Sequence, residues 1–549
     1  MAIDTHIESN MAFTDVNVKA AAVLALILLL AWQLAGVFRR PKNFPPGPWS
    51  LPFIGNLHQI PRGLPWVAFG EWAQRWGPIV GFRLGTQDAV VLNDAALVHE
   101  VLVKNGAAMS GRPPRYVAQE HVIPEGKHVH PVFMRNDYAM RLRAVTKDYL
   151  VGAGLLKLAP MAQAIGMRLV HDIYMSYQDS SRNNAGAQEQ GHVPWTDALA
   201  QWAVTTPVAV MAGAPVEAFG RDFVHNYHHT TVIFEDIMVS GAADIIPLTR
   251  YLPDWFTGWR KQAPIVRKAV LDAYGVLMRV AGQDRGGSFH GLIPALRRQA
   301  ADPKVDANLR LSEPEIMVMM GGLLDAGFAS TVASFETIVL SLTAHPRVLR
   351  RVQAEVDAEL GTAGLPERVE RGRLPYLHAC IMEVLRWHAT TPVPLPREAV
   401  ADVQVGDYRI PKGTTVMTNV WAIQRDPAFY DDPDSFVPER YLHHPLGIKD
   451  GAPEVHRKAL YTFGFGRRAC PGQDFYFQQM EITMAQVIWA FDFVPTGPLD
   501  IDVTTGFVFG VASRPKPLNM KFELRRPVDV LQAEKRRADI ALDQILGLG

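Results

Sequence analysis

Cysteine is nearly absent from this chain: Cys380 and Cys470 are the two in 549 residues. Two thiols make no disulfide scaffold, and such sparse use fits a catalytic part facing a reducing compartment. Net charge is absent as well, with 55 Lys plus Arg against 55 Asp plus Glu. That balance leaves no basic footprint for nucleic acid, so none is expected as a partner. No internal repeat is visible, and no flavin- or nicotinamide-binding domain is evident. At 60.9 kDa the chain can bury a large core, and length alone suggests two or more domains.

Strongly polar residues nearly vanish from one stretch. Ala20 to Phe38 reads AAAVLALILLLAWQLAGVF, with Gln33 its one strongly polar residue. That is close to the roughly 20 residues needed to cross a bilayer. Arg39, Arg40 and Lys42 follow at once, which places the rest of the chain in the cytoplasm by the positive-inside rule. A cleaved signal peptide is the competing reading. It fits less well, because the run is long, Asp4, Glu8 and Asp15 precede it, and bases follow it. The expected layout is a short non-cytoplasmic N-terminus (1–19), a transmembrane anchor (20–38) and a basic, proline-rich hinge (39–50) containing Pro45-Pro46-Gly47-Pro48.

What is present is concentrated in one decapeptide, Phe463 to Gly472, FGFGRRACPG. Gly464 and Gly466 allow close backbone approach, and Arg467 and Arg468 add positive charge. Beyond Phe477, the residues Met480, Met484, Val487, Ile488 and Phe491 fall at helical spacing. Cys470 thus lies just ahead of a helix N-terminus and beside two guanidinium groups, and both features favour a thiolate. A thiolate held this way serves as nucleophile, redox centre or metal ligand. Cys380 is far off in sequence as a redox partner, and the residues leave a cysteine hydrolase open.

Phe463, Gly466, Arg468, Cys470 and Gly472 match, position for position, the haem-binding signature of the cytochrome P450 family. The chain resembles that family from about residue 45 to about residue 525. The resemblance implies a mainly α fold with a smaller β-rich lobe enclosing haem b, over residues 51–527, with a helical tail at 528–549 for which no function is read. It implies Cys470 as the axial thiolate of the iron, with Phe463, Gly466 and Gly472 shaping the cofactor loop. Arg468, and Arg397 in Pro394-Leu395-Pro396-Arg397, are implied propionate partners, since guanidinium pairs with carboxylate through two parallel bonds.

The family's central helix is matched from Ser312, where Ser312 and Glu315 form a capping box, nearly to His345-Pro346. Its middle reads DAGFAST from Asp325 to Thr331. Ala326 and Gly327 fit the family's pattern, Ser330 replaces the first Thr, and Thr331 follows. Ala329 stands where an acid is usual. Cleaving the O–O bond of dioxygen needs protons, and a hydroxyl in a helical groove passes them from water. Ser330 and Thr331 are the expected relay. Asp325, one turn earlier, is a substitute proton source through water. The competing reading has both hydroxyls bonding back to helix carbonyls.

Glu383 and Arg386 share a helix face three residues apart, and Phe436-Val437-Pro438-Glu439-Arg440 resembles the loop that adds a third member, Arg440. That network is structural, because charges buried together need one another. On the helix Tyr138–Leu150 the family usually places a Trp and an Arg at the propionates. Here the Trp is absent, Tyr138 is its possible replacement, and Arg141 and Arg143 are rival candidates for the charge. Residues 78 to 92 read as a hairpin and Ala95 to Lys104 as helix. The irregular Arg112–Asn136 and the aromatic Trp195–Trp259 correspond to regions lying over the substrate and its membrane-facing access route in the family.

The implied activity is that of a single-pass, endoplasmic-reticulum haem-thiolate monooxygenase. It would use dioxygen and electrons from an NADPH-cytochrome P450 reductase to oxidise a lipophilic small molecule. In style the chain resembles fungal enzymes of secondary metabolism. Two alternatives remain: coupling, desaturation or rearrangement without oxygen insertion, and a haem protein that binds or senses a ligand without turnover.

Overall fold

The computed structural model describes residues 40–547, apart from 62, 125–127, 134–135, 183–193, 240, 284, 308–309, 368 and 371. The expected anchor at 20–38 and the N-terminus before it lie outside the described residues.

The long helices are α1 (Pro65–Trp76), α2 (Asn136–Leu150), α3 (Ala159–Arg182), α4 (Trp195–Ala212), α5 (Phe223–Val239), α6 (Trp259–Val280), α7 (Leu292–Ala301), α8 (Glu313–Ala344), α9 (Pro346–Leu360), α10 (Pro375–Trp387), α11 (Gln473–Ala490) and α12 (Val528–Leu546). Prolines at the first or second position start α1, α8, α9 and α10, where the missing N–H costs no helical bond. Gly213, in the left-handed conformation, closes α4.

The helix α8 is apolar on every face, so it can be stable only at the centre of the bundle. Its 32 residues run through the core against α4, α6, α10 and a late strand. At its start the Ser312 N–H and hydroxyl both donate to Glu315, at 2.9 and 2.7 Å. The tail helix α12 buries Leu531, Leu542 and Leu546 and packs on α3, with Arg168 Nε 2.9 Å from Asp539.

The β lobe is small. Strands β1 (Ile79–Leu84), β2 (Gln87–Leu92), β3 (Arg397–Glu398), β4 (Val403–Val405), β5 (Tyr408–Ile410), β6 (Thr415–Thr418), β7 (Phe491–Pro495), β8 (Phe507–Phe509), β9 (Ser513–Pro515) and β10 (Met520–Leu524) form one four-stranded sheet and three hairpin-sized pairs. The sheet order is β1-β2-β6-β3, with β2 and β6 parallel and the other pairs antiparallel. The proline-rich segment docks on this sheet: Gly81 N–H donates to the Pro46 carbonyl at 2.8 Å. A smaller core around Ile79, Val90, Leu92 and Val416 belongs to this lobe, while the main core lies among the helices. The chain therefore has the expected mainly α architecture with a minor β lobe.

Candidate functional site

The decapeptide folds as a tight loop ahead of α11. Gly464 (φ 73) and Gly466 (φ 51) both take left-handed backbone, and Cys470 N–H donates to the Phe463 carbonyl at 2.7 Å to close the loop. A Cβ on Gly466 would stand 2.5 Å from the Leu102 carbonyl oxygen, so a side chain there would push the loop off its neighbour. Phe463 packs on Tyr476 and Phe477, and Gly472 caps α11.

The Cys470 thiol is accessible yet enclosed by protein, so it opens onto interior space. Burial pushes the thiol up, against the opposing pull of the Gly472 N–H and the Arg143 guanidinium. This corrects the expectation that the adjoining arginines favour the thiolate. Arg467 is exposed, and Arg468 turns away to donate to the Ser110 carbonyl at 2.9 Å. The nearby charge comes from another helix. Without a cation on the sulfur, the thiol is the favoured form.

Four arginines converge beside this loop. Arg397, on β3, donates to the Phe465 carbonyl at 3.3 Å. Reciprocal backbone bonds between Gly111 and Glu398, of 3.1 and 3.0 Å, bring Arg112 alongside, where it donates to the Leu395 and Pro396 carbonyls at 2.8 Å. Arg143 on α2 donates to the Arg467 carbonyl at 3.2 Å and also to that of Ala469. Burial and the charges of Arg112, Arg468 and Arg143 hold Arg397 well below the usual guanidinium range. Burial and Arg468 bring Arg112 down to about 9, and burial with Arg143 brings Arg468 to about 10.

Among the described residues no carboxylate pairs with Arg112, Arg143 or Arg397, and Arg112 Nε is buried with no hydrogen-bond partner. Desolvated like charges without counterions are costly unless an anion completes them. The cluster fits a dianion carrying two carboxylates beside a sulfur ligand, as the propionates of haem would be.

Of the rivals on α2, Arg143 reaches the loop. Arg141 stacks on Tyr138 at 4.9 Å, and Tyr138 bonds to Glu315. Neither Tyr138 nor Arg141 contributes to the arginine cluster. Arg112 was not singled out from sequence, because only the backbone pairing of Gly111 with Glu398 shows where it goes.

The middle of α8 forms the facing wall. Asp325–Gly327 and Ala329–Thr331 are accessible, in a helix whose flanking residues Leu324, Phe328 and Val332 are buried. The Ser334 hydroxyl, one turn past Ser330, meets that of Tyr476, whose N–H donates to Gly472 at 2.8 Å. The α8 turn after Ser330 is thereby tied to the start of the helix that follows Cys470. Ser330 Oγ donates to the Ala326 carbonyl at 2.9 Å, the helix back-bond, and its oxygen remains able to accept. Asp325 is not aimed at Ser330. Tyr227 and Tyr274 both donate to its carboxylate, so it does not stand as a free substitute for the acid replaced by Ala329.

Glu383 and Arg386 form a fully buried bidentate pair at 2.7 and 2.8 Å. Arg386 also donates to the carbonyls of Gln424, Pro433 and Ser435, while Arg440 Nε lies 3.4 Å from Glu383. The three residues tie α10 to the 424–440 loop.

Residues 45–522 match the family described as Cytochrome P450. Cytochrome P450 monooxygenase 58 of Postia placenta is 31% identical, over 87% of this chain and 87% of its own. A Penicillium cytochrome P450 monooxygenase is 28% identical, over 93% and 94%. A zebrafish cytochrome P450 structure with abiraterone shares the fold at TM-score 0.65 and 21% identity, covering 84% of this chain and all of its own. The matched region contains the cysteine loop, the arginine cluster and the central helix together, and the chain belongs to the cytochrome P450 family, as a monooxygenase.

Proposed function

We propose that this monooxygenase oxidises a lipophilic small molecule, most simply by hydroxylating a carbon, in secondary-metabolite biosynthesis. Dioxygen is the oxidant, and electrons come from an NADPH-cytochrome P450 reductase. Residues 20–38 anchor it as a single-pass protein of the endoplasmic reticulum, with 51–527 as the cytoplasmic catalytic domain and 528–549 as a helical extension. The observation that carries this reading is the cluster of Arg112, Arg143 and Arg397, with no paired carboxylate among the described residues, beside Cys470 and Arg468.

Haem b would be held by Cys470 and would supply the oxygen activation. The guanidiniums of Arg112, Arg143, Arg397 and Arg468 would hold the cofactor's carboxylates. The Gly472 N–H steadies the sulfur, and Arg143 adds positive charge. Phe463, Gly466 and Gly472 hold the loop at its close approach. Ser330 Oγ would accept a proton from water as its own hydroxyl proton turns from the Ala326 carbonyl and passes onward, with Thr331 beside it. Glu383, Arg386 and Arg440 keep the cofactor side of the core rigid.

A second reading, oxidation by coupling or desaturation without oxygen insertion, is favoured by Ala329 and the engaged Asp325, which leave water as the proton supply to Ser330. The test combines the haem-loaded chain, reductase, NADPH and lipid-soluble metabolite extract under isotopically heavy dioxygen. Heavy oxygen in a new product supports monooxygenation. A product that loses hydrogen without gaining label supports the second reading, and NADPH use indifferent to extract opposes both.

A further inference from the structure

One carboxylate gathers three separate segments onto the middle of α8. Tyr227 of α5 donates its hydroxyl to Asp325 Oδ1 at 2.6 Å, and Tyr274 of α6 donates to Oδ2. His130, from the segment ahead of α2, sets Nε2 3.7 Å from Oδ2. All three partners are buried, His130 completely. The Val132 N–H points to His130 Nδ1 at 3.4 Å, so in the neutral ring Nε2 carries the proton and faces the carboxylate. That nitrogen has no hydrogen-bond partner of its own.

The helix is shaped for these approaches. A Cβ on Gly321 would stand 2.3 Å from the Tyr274 ring, and one on Gly322 would stand 2.5 Å from Pro131 and 2.7 Å from His130. Two adjacent glycines therefore let α6 and the 130–133 segment press against α8 one turn before Asp325. On the other side, Tyr227 and His228 pack edge-on to Phe328, each with centroids 5.6 Å away. Asp325 itself opens the accessible stretch of α8, so the three segments meet where that stretch begins.

Apolar contact alone would hold a helix bundle together at this depth, and an acid there is expensive to desolvate. A carboxylate that accepts hydroxyl bonds from α5 and α6, with an imidazole of a third segment beside it, does something packing does not. It is directional, and it breaks as a unit. We propose that Asp325 is a latch holding α5, α6 and the 130–133 segment closed over the interior space, and that bulky ligands enter when its tyrosine bonds release. Asp325 is thus a positioning residue that controls access and takes no part in the oxidation. The proposal rests on the reading that this space holds haem.

The test follows ligand association to the iron of the haem-loaded full chain, by stopped-flow absorption, with two probes of different size. Phenylimidazole needs the roof to open, whereas carbon monoxide is small enough to pass without it. Asp325→Leu is expected to speed phenylimidazole association about tenfold, and Tyr227→Phe and Tyr274→Phe about threefold each. Carbon monoxide association and the Soret position stay as in the parent chain. Tyr274→Phe added to Asp325→Leu gives no further gain, because both act on one bond.

Phenylimidazole rates within twofold of the parent in variants with intact Soret bands overturn the latch. Equal acceleration of both probes also overturns it, since that reports general loosening. If Asp325→Leu does not fold, the two tyrosine variants decide. A parent chain with no Soret absorption would bring down the haem reading itself, a result distinct from unchanged rates.

Discussion

Glu336, on α8, titrates far from its ordinary range. Burial pushes it up to about 7, only partly offset by Arg514, whose Nη2 lies 3.2 Å away. Between its ordinary 4.5 and about 7 the folded chain holds a proton that the unfolded chain has released. Stability from this group is therefore fully present below 4.5 and is lost as pH rises through 7. Glu336→Gln should flatten that decline, which is on the order of 3 kcal/mol, when urea unfolding is compared at pH 5 and pH 8. Parallel slopes in variant and parent would show that the carboxyl is not held protonated. The arginine cluster makes a separate prediction. Arg397→Met removes a desolvated partner of the cofactor carboxylates, so haem should transfer to apomyoglobin about tenfold faster. Ser330→Ala should give roughly tenfold less product per NADPH consumed. Unchanged coupling would remove that hydroxyl from the proton path.

The pair joining α10 to the 424–440 loop shows what an element contributes. Glu383 and Arg386 are wholly buried, and removing one strips the other of its bidentate partner. Glu383→Gln or Arg386→Met should each cost about 3–5 kcal/mol, whereas the double substitution Glu383→Leu with Arg386→Met should cost clearly less. Urea unfolding of the three variants checks this, and simple additivity would argue against the pairing as the source of the cost. This pair was legible in sequence because the two residues sit three apart on one apolar helix. The central helix was legible for a similar reason, since its length, its apolar faces and the Ser312–Glu315 cap are all local. What escaped depends on distant partners. Arg112 is placed by the backbone pairing of Gly111 with Glu398, the charge beside Cys470 comes from Arg143, and Asp325 is claimed by tyrosines on two other helices. Short-range pattern names such residues without saying where they point. The tail helix was readable as a helix, and only its packing on α3 shows what it covers.

At the scale of the whole molecule, the bundle and the small β lobe bring together a cysteine loop, a cluster of arginines and a central helix whose middle is accessible. Arg112, Arg143 and Arg397 are desolvated like charges that favour an anion among them, and burial favours the Cys470 thiol until a cation stabilises its thiolate. A haem meets both needs at once, with two carboxylates for the guanidiniums and an iron for the sulfur. The measurement that tests this most directly is the absorption spectrum of the reduced, carbon monoxide-bound full chain beside its Cys470→Ala variant. The parent should show the Soret band of a thiolate-ligated haem, and Cys470→Ala should lose that signature. The same thiolate spectrum in the variant, or no haem absorption in the parent, would contradict the account.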